Sequence, residues 1–226
     1  MIPATARGRV LLVVMYAIGM AWVESACVYY LRVLVGGIDP ARTGPLAMPA
    51  ALGAVELVRE AATLVMLFAI GWLAGGALRS RIAYTAIAFG VWDVLYYAFL
   101  RVMCGWPTSV FDWDLLFLLP LPWWGPVLAP VSIAVLMIVW GVLVAGHEPG
   151  IDHPRTSPWW PSACLGITLA LYVFMADALH ALSRGGDHTT IVVPTSFNWA
   201  VFLIAIALIA VPVADLARRV RPRIAA

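Results

Sequence analysis

The chain has 226 residues, of which 63% are hydrophobic and only 12% charged, with a mean hydropathy of +0.94 and a formal net charge of +2. A soluble domain carries about 25% charged residues, so this composition excludes an ordinary soluble enzyme and leaves no polar stretch long enough for a second domain. The small net charge, with its basic residues at predicted helix ends, excludes nucleic acid as a partner.

A membrane-spanning helix needs about 20 mainly apolar residues. Six stretches meet that need: 10–35, 50–76, 82–104, 124–146, 160–183 and 197–217. The first opens with Arg7 and Arg9 before an apolar run, which resembles a signal peptide, and Ser25-Ala26-Cys27 resembles a lipoprotein cleavage site. Glu24, however, stands where such a site wants an aliphatic residue, and Val28-Tyr29-Tyr30-Leu31 carries the apolar run onward. The segment is therefore read as a spanning helix.

Gly36-Gly37-Ile38-Asp39-Pro40 ends the first span, and Gly75-Gly76 with Arg79 and Arg81 separates the second from the third. Residues 107–122 differ. They lie among Pro107, Pro120 and Pro122, and their apolar core, Phe111 to Leu119, is only nine residues long. That is too short to cross and predicts an interfacial or re-entrant helix, with Asp112, Trp113, Trp123 and Trp124 at headgroup level. His147-Glu148-Pro149-Gly150 follows the fourth span and Gly185-Gly186-Asp187 the fifth. The expected fold is all-α: one integral membrane domain, 1–226, made of a polytopic bundle of six transmembrane helices and one short interfacial helix.

All 14 basic residues are arginine, and their distribution sets an orientation. With six spans, Arg7, Arg9, Arg79, Arg81, Arg155, Arg218, Arg219, Arg221 and Arg223 share one side, against Arg32, Arg42, Arg101 and Arg184 on the other. The positive-inside rule puts both termini in the cytoplasm, in a cell membrane of the prokaryotic inner-membrane kind.

The chemistry is carried by ionisable residues inside apolar stretches: Glu24, Glu56, Arg59, Glu60, Asp93, Asp177 and His180. Such residues are costly in hydrocarbon, are rare, and usually face a bundle interior. At 1.5 Å per residue, all fall between the midplane and the outer interface, with Asp112 and Asp114 just above. Helical spacing puts Glu56, Arg59, Glu60 and Thr63 on one face, Asp93, Tyr97 and Arg101 on another, and Asp177, His180 and Arg184 on a third. Spans 1, 2, 3 and 5 are expected to surround one polar centre, with the almost purely apolar spans 4 and 6 peripheral.

Two readings compete. In one, Glu24, Glu56, Glu60, Asp93, Asp177 and His180 act as acid/base groups or ligands of a divalent metal, since carboxylates plus imidazole from several helices can hold iron, manganese or zinc. Asp177-x-x-His180 has the i, i+3 spacing of the Glu-x-x-His pairs in four-helix di-metal sites, but no second such pair exists. Arg59, Arg101 and Tyr97 would then bind or orient a lipophilic or small-molecule substrate. In the other reading the charges form a structural ion-pair network, but the acids outnumber the bases. The function expected is a one-sided enzyme-like site. The alternatives are a proton- or cation-coupled transporter and a non-catalytic accessory subunit.

Lesser candidates are weighed lower. His147, Glu148, Asp152 and His153 read as a solvated loop, and Tyr29, Tyr30, Tyr96 and Tyr97 as packing tyrosines. Cys27, Cys104 and Cys164 lack metal or redox spacing, and no GxSxG, HExxH or Walker motif is present.

Overall fold

The computed structural model describes residues 5–34, 50–118, 120–146, 157–183 and 196–220. They form α1 (Ala6–Leu34), α2 (Ala50–Ala74), α3 (Leu78–Cys104), β1 (Trp113–Phe117), β2 (Trp123–Pro126), α4 (Leu128–Ala145), α5 (Trp160–Ser183) and α6 (Trp199–Val220). All six helices are long and apolar enough to cross a membrane. The molecule is thus a multi-pass integral membrane protein with an all-α bundle. The loop residues His147, Glu148, Asp152 and His153, and the arginines at 42, 155, 184, 221 and 223, lie outside the described residues.

The helices follow their sequence cues. The α2–α3 turn is closed by polar groups: the Ala77 amide donates to Ser80 Oγ at 3.1 Å, and Arg81 Nε donates to the Gly75 carbonyl at 3.1 Å while stacking 4.2 Å from the Trp72 ring. α3 stops at Gly105, whose φ of 75° suits a residue without a Cβ. In α6, Pro212 has no N–H to give the Leu208 carbonyl one turn earlier. Ser162 Oγ of α5 lies 3.1 Å from that carbonyl oxygen and 2.6 Å from that of Trp159, a close approach of the two helices at the freed group.

Packing gives an order that sequence periodicity does not. α3 packs most extensively against α4 and α1, and also against α2, while α5 packs on α6 and α6 on α4. This corrects the expectation that spans 4 and 6 are peripheral and that span 5 joins spans 1–3. The α3–α4 seam owes its closeness to glycine. A Cβ on Gly90 would lie 2.6 Å from the Ala134 carbonyl oxygen, and one on Gly141 would lie 2.6 Å from that of Ala83.

The segment 107–122 is also corrected. Its described residues hold no helix: β1 pairs with β2, just beyond the segment, in an antiparallel hairpin, with Trp113 opposite Pro126, Asp114 opposite Gly125 and Leu115 opposite Trp124. A short apolar run does not distinguish strand from helix by period, and its aromatic content together with the flanking prolines favours strands. Asp112 starts the hairpin, its Oδ2 accepting the Thr108 amide (2.6 Å), the Thr108 hydroxyl (2.8 Å) and the Ser109 amide (3.2 Å). Burial opposes its ionisation, but these hydrogen bonds together with the attraction of Arg101 outweigh it and hold the carboxyl below its ordinary range. Because β2 takes Trp123–Pro126, α4 begins at 128 rather than 124.

Candidate functional site

α2 shows how the sequence builds the site. Its buried positions, Glu56, Glu60, Thr63, Leu67, Gly71 and Ala74, recur every three or four residues and make one stripe. The half toward the hairpin is polar and the other half apolar. The apolar half packs into a core with Val13, Ala17 and Ala21 of α1 and Tyr84, Ile87 and Ala88 of α3. The polar half opens into a cavity of about 200 Å³, bounded by α1, α2, α3, α4 and the hairpin.

Glu24, Glu56, Glu60, Asp93 and Tyr97 are all buried and line this cavity, as does Arg59. Arg59 sits between two carboxylates. Its Nη1 pairs with Glu24, its Nη2 pairs with Glu56, and its Nε donates to Glu56 Oε2 at 2.8 Å. Thr63 Oγ1 donates to the second oxygen of Glu24 at 3.1 Å. Ser25 Oγ lies 2.7 Å from the Ala21 carbonyl oxygen and 3.0 Å from that of Tyr96, which locks α1 to α3 beside the site.

The other two helix-borne acids of the cavity, Glu60 and Asp93, form no salt bridge with Arg59. Glu60 Oε2 accepts the Leu118 amide at 2.9 Å, so α2 holds the hairpin over the cavity. Asp93 is 7% exposed, and its Oδ2 is buried with no hydrogen-bond partner. Asp114, which the sequence set just above the centre, lines the cavity itself and accepts the Tyr97 hydroxyl. Burial pushes its carboxyl up to about 6, against the attraction of Arg32. Arg32 also lines the cavity, and its guanidinium lies 4.0 Å from the Trp106 ring centroid. Sequence reasoning missed Arg32, although it lies two helical turns beyond Glu24, on the same face as Val28.

Aromatic rings wall the rest. Phe89 packs on Trp92 (centroids 5.3 Å) and Phe117 (6.2 Å), Phe117 on Trp123 (5.4 Å), and Trp123 on Phe174 of α5 (6.2 Å, planes 9° apart).

Three expected site residues are not brought here. Asp177 is half-buried and His180 exposed on α5, and neither lines the cavity. Arg101 is exposed at the end of α3, where it donates to the carbonyls of Gly105 and Pro107, the latter at 2.9 Å. Among the described residues no group of three or more His, Cys, Asp or Glu side chains could hold a metal ion. The divalent-metal reading, which needed Asp177 and His180 beside the acids of α1–α3, therefore has no support, and Arg59 already supplies the positive charge between Glu24 and Glu56.

The Glu60 contact makes a testable latch. Glu60→Leu removes the acceptor, and a hydrogen bond to a charged group contributes about 1.5–3 kcal/mol. Amide hydrogen exchange over 113–118 is expected to quicken at least tenfold in Glu60→Leu and to change little in Glu60→Gln, which keeps an acceptor oxygen. Unchanged exchange in Glu60→Leu would show that the hairpin is held by its packing alone.

No protein-family model matches the chain, no curated protein matches it, and no solved structure matches it.

Proposed function

We propose that this integral membrane protein receives a small, partly lipophilic ligand in an intramembrane site open toward the outer face. Glu60 and Asp93 are the groups that bind it or exchange protons with it. One observation carries this reading: two carboxyl groups share a cavity with the Glu24–Arg59–Glu56 network yet form neither a salt bridge nor a hydrogen bond with Arg59. A purely structural role accounts for Glu60 through its Leu118 contact but not for the unpartnered oxygen of Asp93, because an intramembrane charge is retained where it has a partner or a task. An enzyme-like or receptor-like site is favoured over a transport path by what lies beneath. One turn below Thr63 the stripe of α2 becomes Leu67, then Gly71 and Ala74, and Leu67 and Ala74 pack in an apolar core.

The proposed orientation rests on charge. Arg7, Arg9, Arg79, Arg81, Arg218 and Arg219 mark the end opposite the hairpin, while Arg32 and Arg101 mark the hairpin end. That asymmetry supports cytoplasmic termini and an outward-facing cavity.

Cysteine accessibility tests both points. With Cys27, Cys104 and Cys164 changed to alanine, Thr63→Cys is expected to react with a membrane-impermeant thiol reagent added outside the cell. Leu67→Cys, one turn deeper, is expected to stay unlabelled from either side, and cysteines engineered within 38–46 should label from outside. Labelling of Thr63→Cys from the cytoplasmic side would favour transport. Labelling from neither side would overturn the open-site reading.

A further inference from the structure

We propose that the ligand of this cavity is an organic cation, an amine carried on a small apolar body, whose ammonium group is received by Asp93 and Glu60. The inference rests on the ligand-site reading above and adds the ligand's charge. The lining carries five carboxyl groups, Glu24, Glu56, Glu60, Asp93 and Asp114, against two guanidinium groups, Arg32 and Arg59.

Both arginines are engaged. Arg59 bridges Glu24 and Glu56, while Arg32 lies on the Trp106 ring and is the cation acting on Asp114. Glu60 has one backbone amide as its hydrogen-bond donor, and Asp93 keeps a buried oxygen with no partner. Asp93 and Asp114 are close enough to repel each other, and a positive group between the acids would relieve that repulsion. Beyond the engaged arginines the charged groups an anion would meet are all carboxylates, and a neutral ligand would leave the excess of acid unmatched.

The walls fit the same class. An ammonium is attracted to the faces of aromatic rings within about 6 Å of their centroids, and Trp92, Tyr96, Phe117 and Trp123 line the cavity with the acids. The size fits as well. About 200 Å³ is below the roughly 300–1,000 Å³ of sites for drug-sized molecules, so a compact amine suits it better than a lipid with its chains.

The test uses the full chain in lipid nanodiscs at neutral pH and three probes of nearly one shape: 4-fluorobenzylammonium, 4-fluorobenzyl alcohol and 4-fluorobenzoate. Binding is read by ¹⁹F line broadening against empty nanodiscs. Saturable binding of the ammonium probe is expected, at least tenfold tighter than the alcohol, with no saturable binding of the benzoate. Asp93→Asn should weaken the ammonium at least tenfold and Arg101→Gln should not. Should Asp93→Asn fail to fold, Glu60→Gln gives the same readout while keeping the Leu118 acceptor. Alcohol or benzoate binding as tightly as the ammonium overturns the cation proposal and leaves a ligand site standing. Saturable binding by none of the three also overturns it, and the Thr63→Cys labelling, which needs no ligand, then decides whether the open site survives.

Discussion

Arg59→Met is expected to lower the stability of the purified protein by about 3 kcal/mol or more. Breaking a buried ion pair by removing one partner typically costs about 3–5 kcal/mol, because the charge left behind has neither water nor a counterion. Here two charges are left behind, on Glu24 and Glu56, each nine-tenths buried. Arg59 itself is 22% exposed along its side chain, which places the expected cost toward the lower end of that range. The melting temperature should fall by roughly 6–12 °C, at about 2–4 °C per kcal/mol for a chain of this size. Arg59→Lys should recover only part of it. A guanidinium reaches Glu56 with Nε and Nη2 while Nη1 reaches Glu24, and an ammonium is a single point that cannot span both in that geometry. Adding Glu24→Gln and Glu56→Gln to Arg59→Met should restore most of the loss, since removing every charge removes the desolvation penalty with the attraction. A melting temperature unmoved by Arg59→Met would show that the pair contributes nothing to the fold.

The spans were legible in the sequence because hydrocarbon imposes one simple demand. A helix must carry about 20 apolar residues across it, and all six predicted stretches are helices whose ends move by a few residues. The polar stripe of α2 was legible for a similar reason, since Glu56, Glu60 and Thr63 repeat at helical spacing and face inward.

What the sequence withheld is neighbourhood. Asp177 has a suitable depth and phase, but phase only says which face of α5 it occupies. Which helix that face meets depends on close contacts between small residues. Gly166 brings α5 against the Ala205 carbonyl of α6, and Gly90 and Gly141 bring α4 against α3, so α4 borders the cavity and α5 reaches it only through Phe174. The hairpin was withheld for another reason: Trp113–Phe117, apolar but for Asp114, is too short to show a period. Its strand pairing depends on Trp123–Pro126 downstream, residues that read equally well as the start of a helix.

The α3–α4 seam is where a single methylene branch should do most harm to packing. Between helices in a bilayer there is no hydrophobic drive to associate, and close approach at small residues supplies the contact energy instead. Gly90 and Gly141 sit at opposite ends of a repeat of two helical turns, Ala83 to Gly90 on α3 and Ala134 to Gly141 on α4. A Cβ on Gly141 would lie 2.6 Å from both the Ala83 carbonyl oxygen and Ile87 Cγ1. The isoleucine can rotate away, but the carbonyl belongs to helix backbone and cannot, so the helices must separate. Overpacking of this kind costs about 1–3 kcal/mol, occasionally more, and Gly141→Leu is expected at or above the top of that range. Gly19→Leu on α1, where a Cβ meets nothing within 4 Å, should change stability by less than about 0.5 kcal/mol. Gly90→Leu should behave differently from both. Gly90 lies one turn from Asp93 and opposite Ala134, which lines the cavity, so this variant is expected to lose stability and also to weaken 4-fluorobenzylammonium binding. Gly141→Leu, two turns further from the site, should lose stability while the folded fraction still binds the probe with the affinity of the parent chain. Equal melting temperatures for Gly141→Leu and Gly19→Leu would show that the seam is looser than its geometry implies. An unaltered affinity in Gly90→Leu would show that α4 does not help shape the cavity.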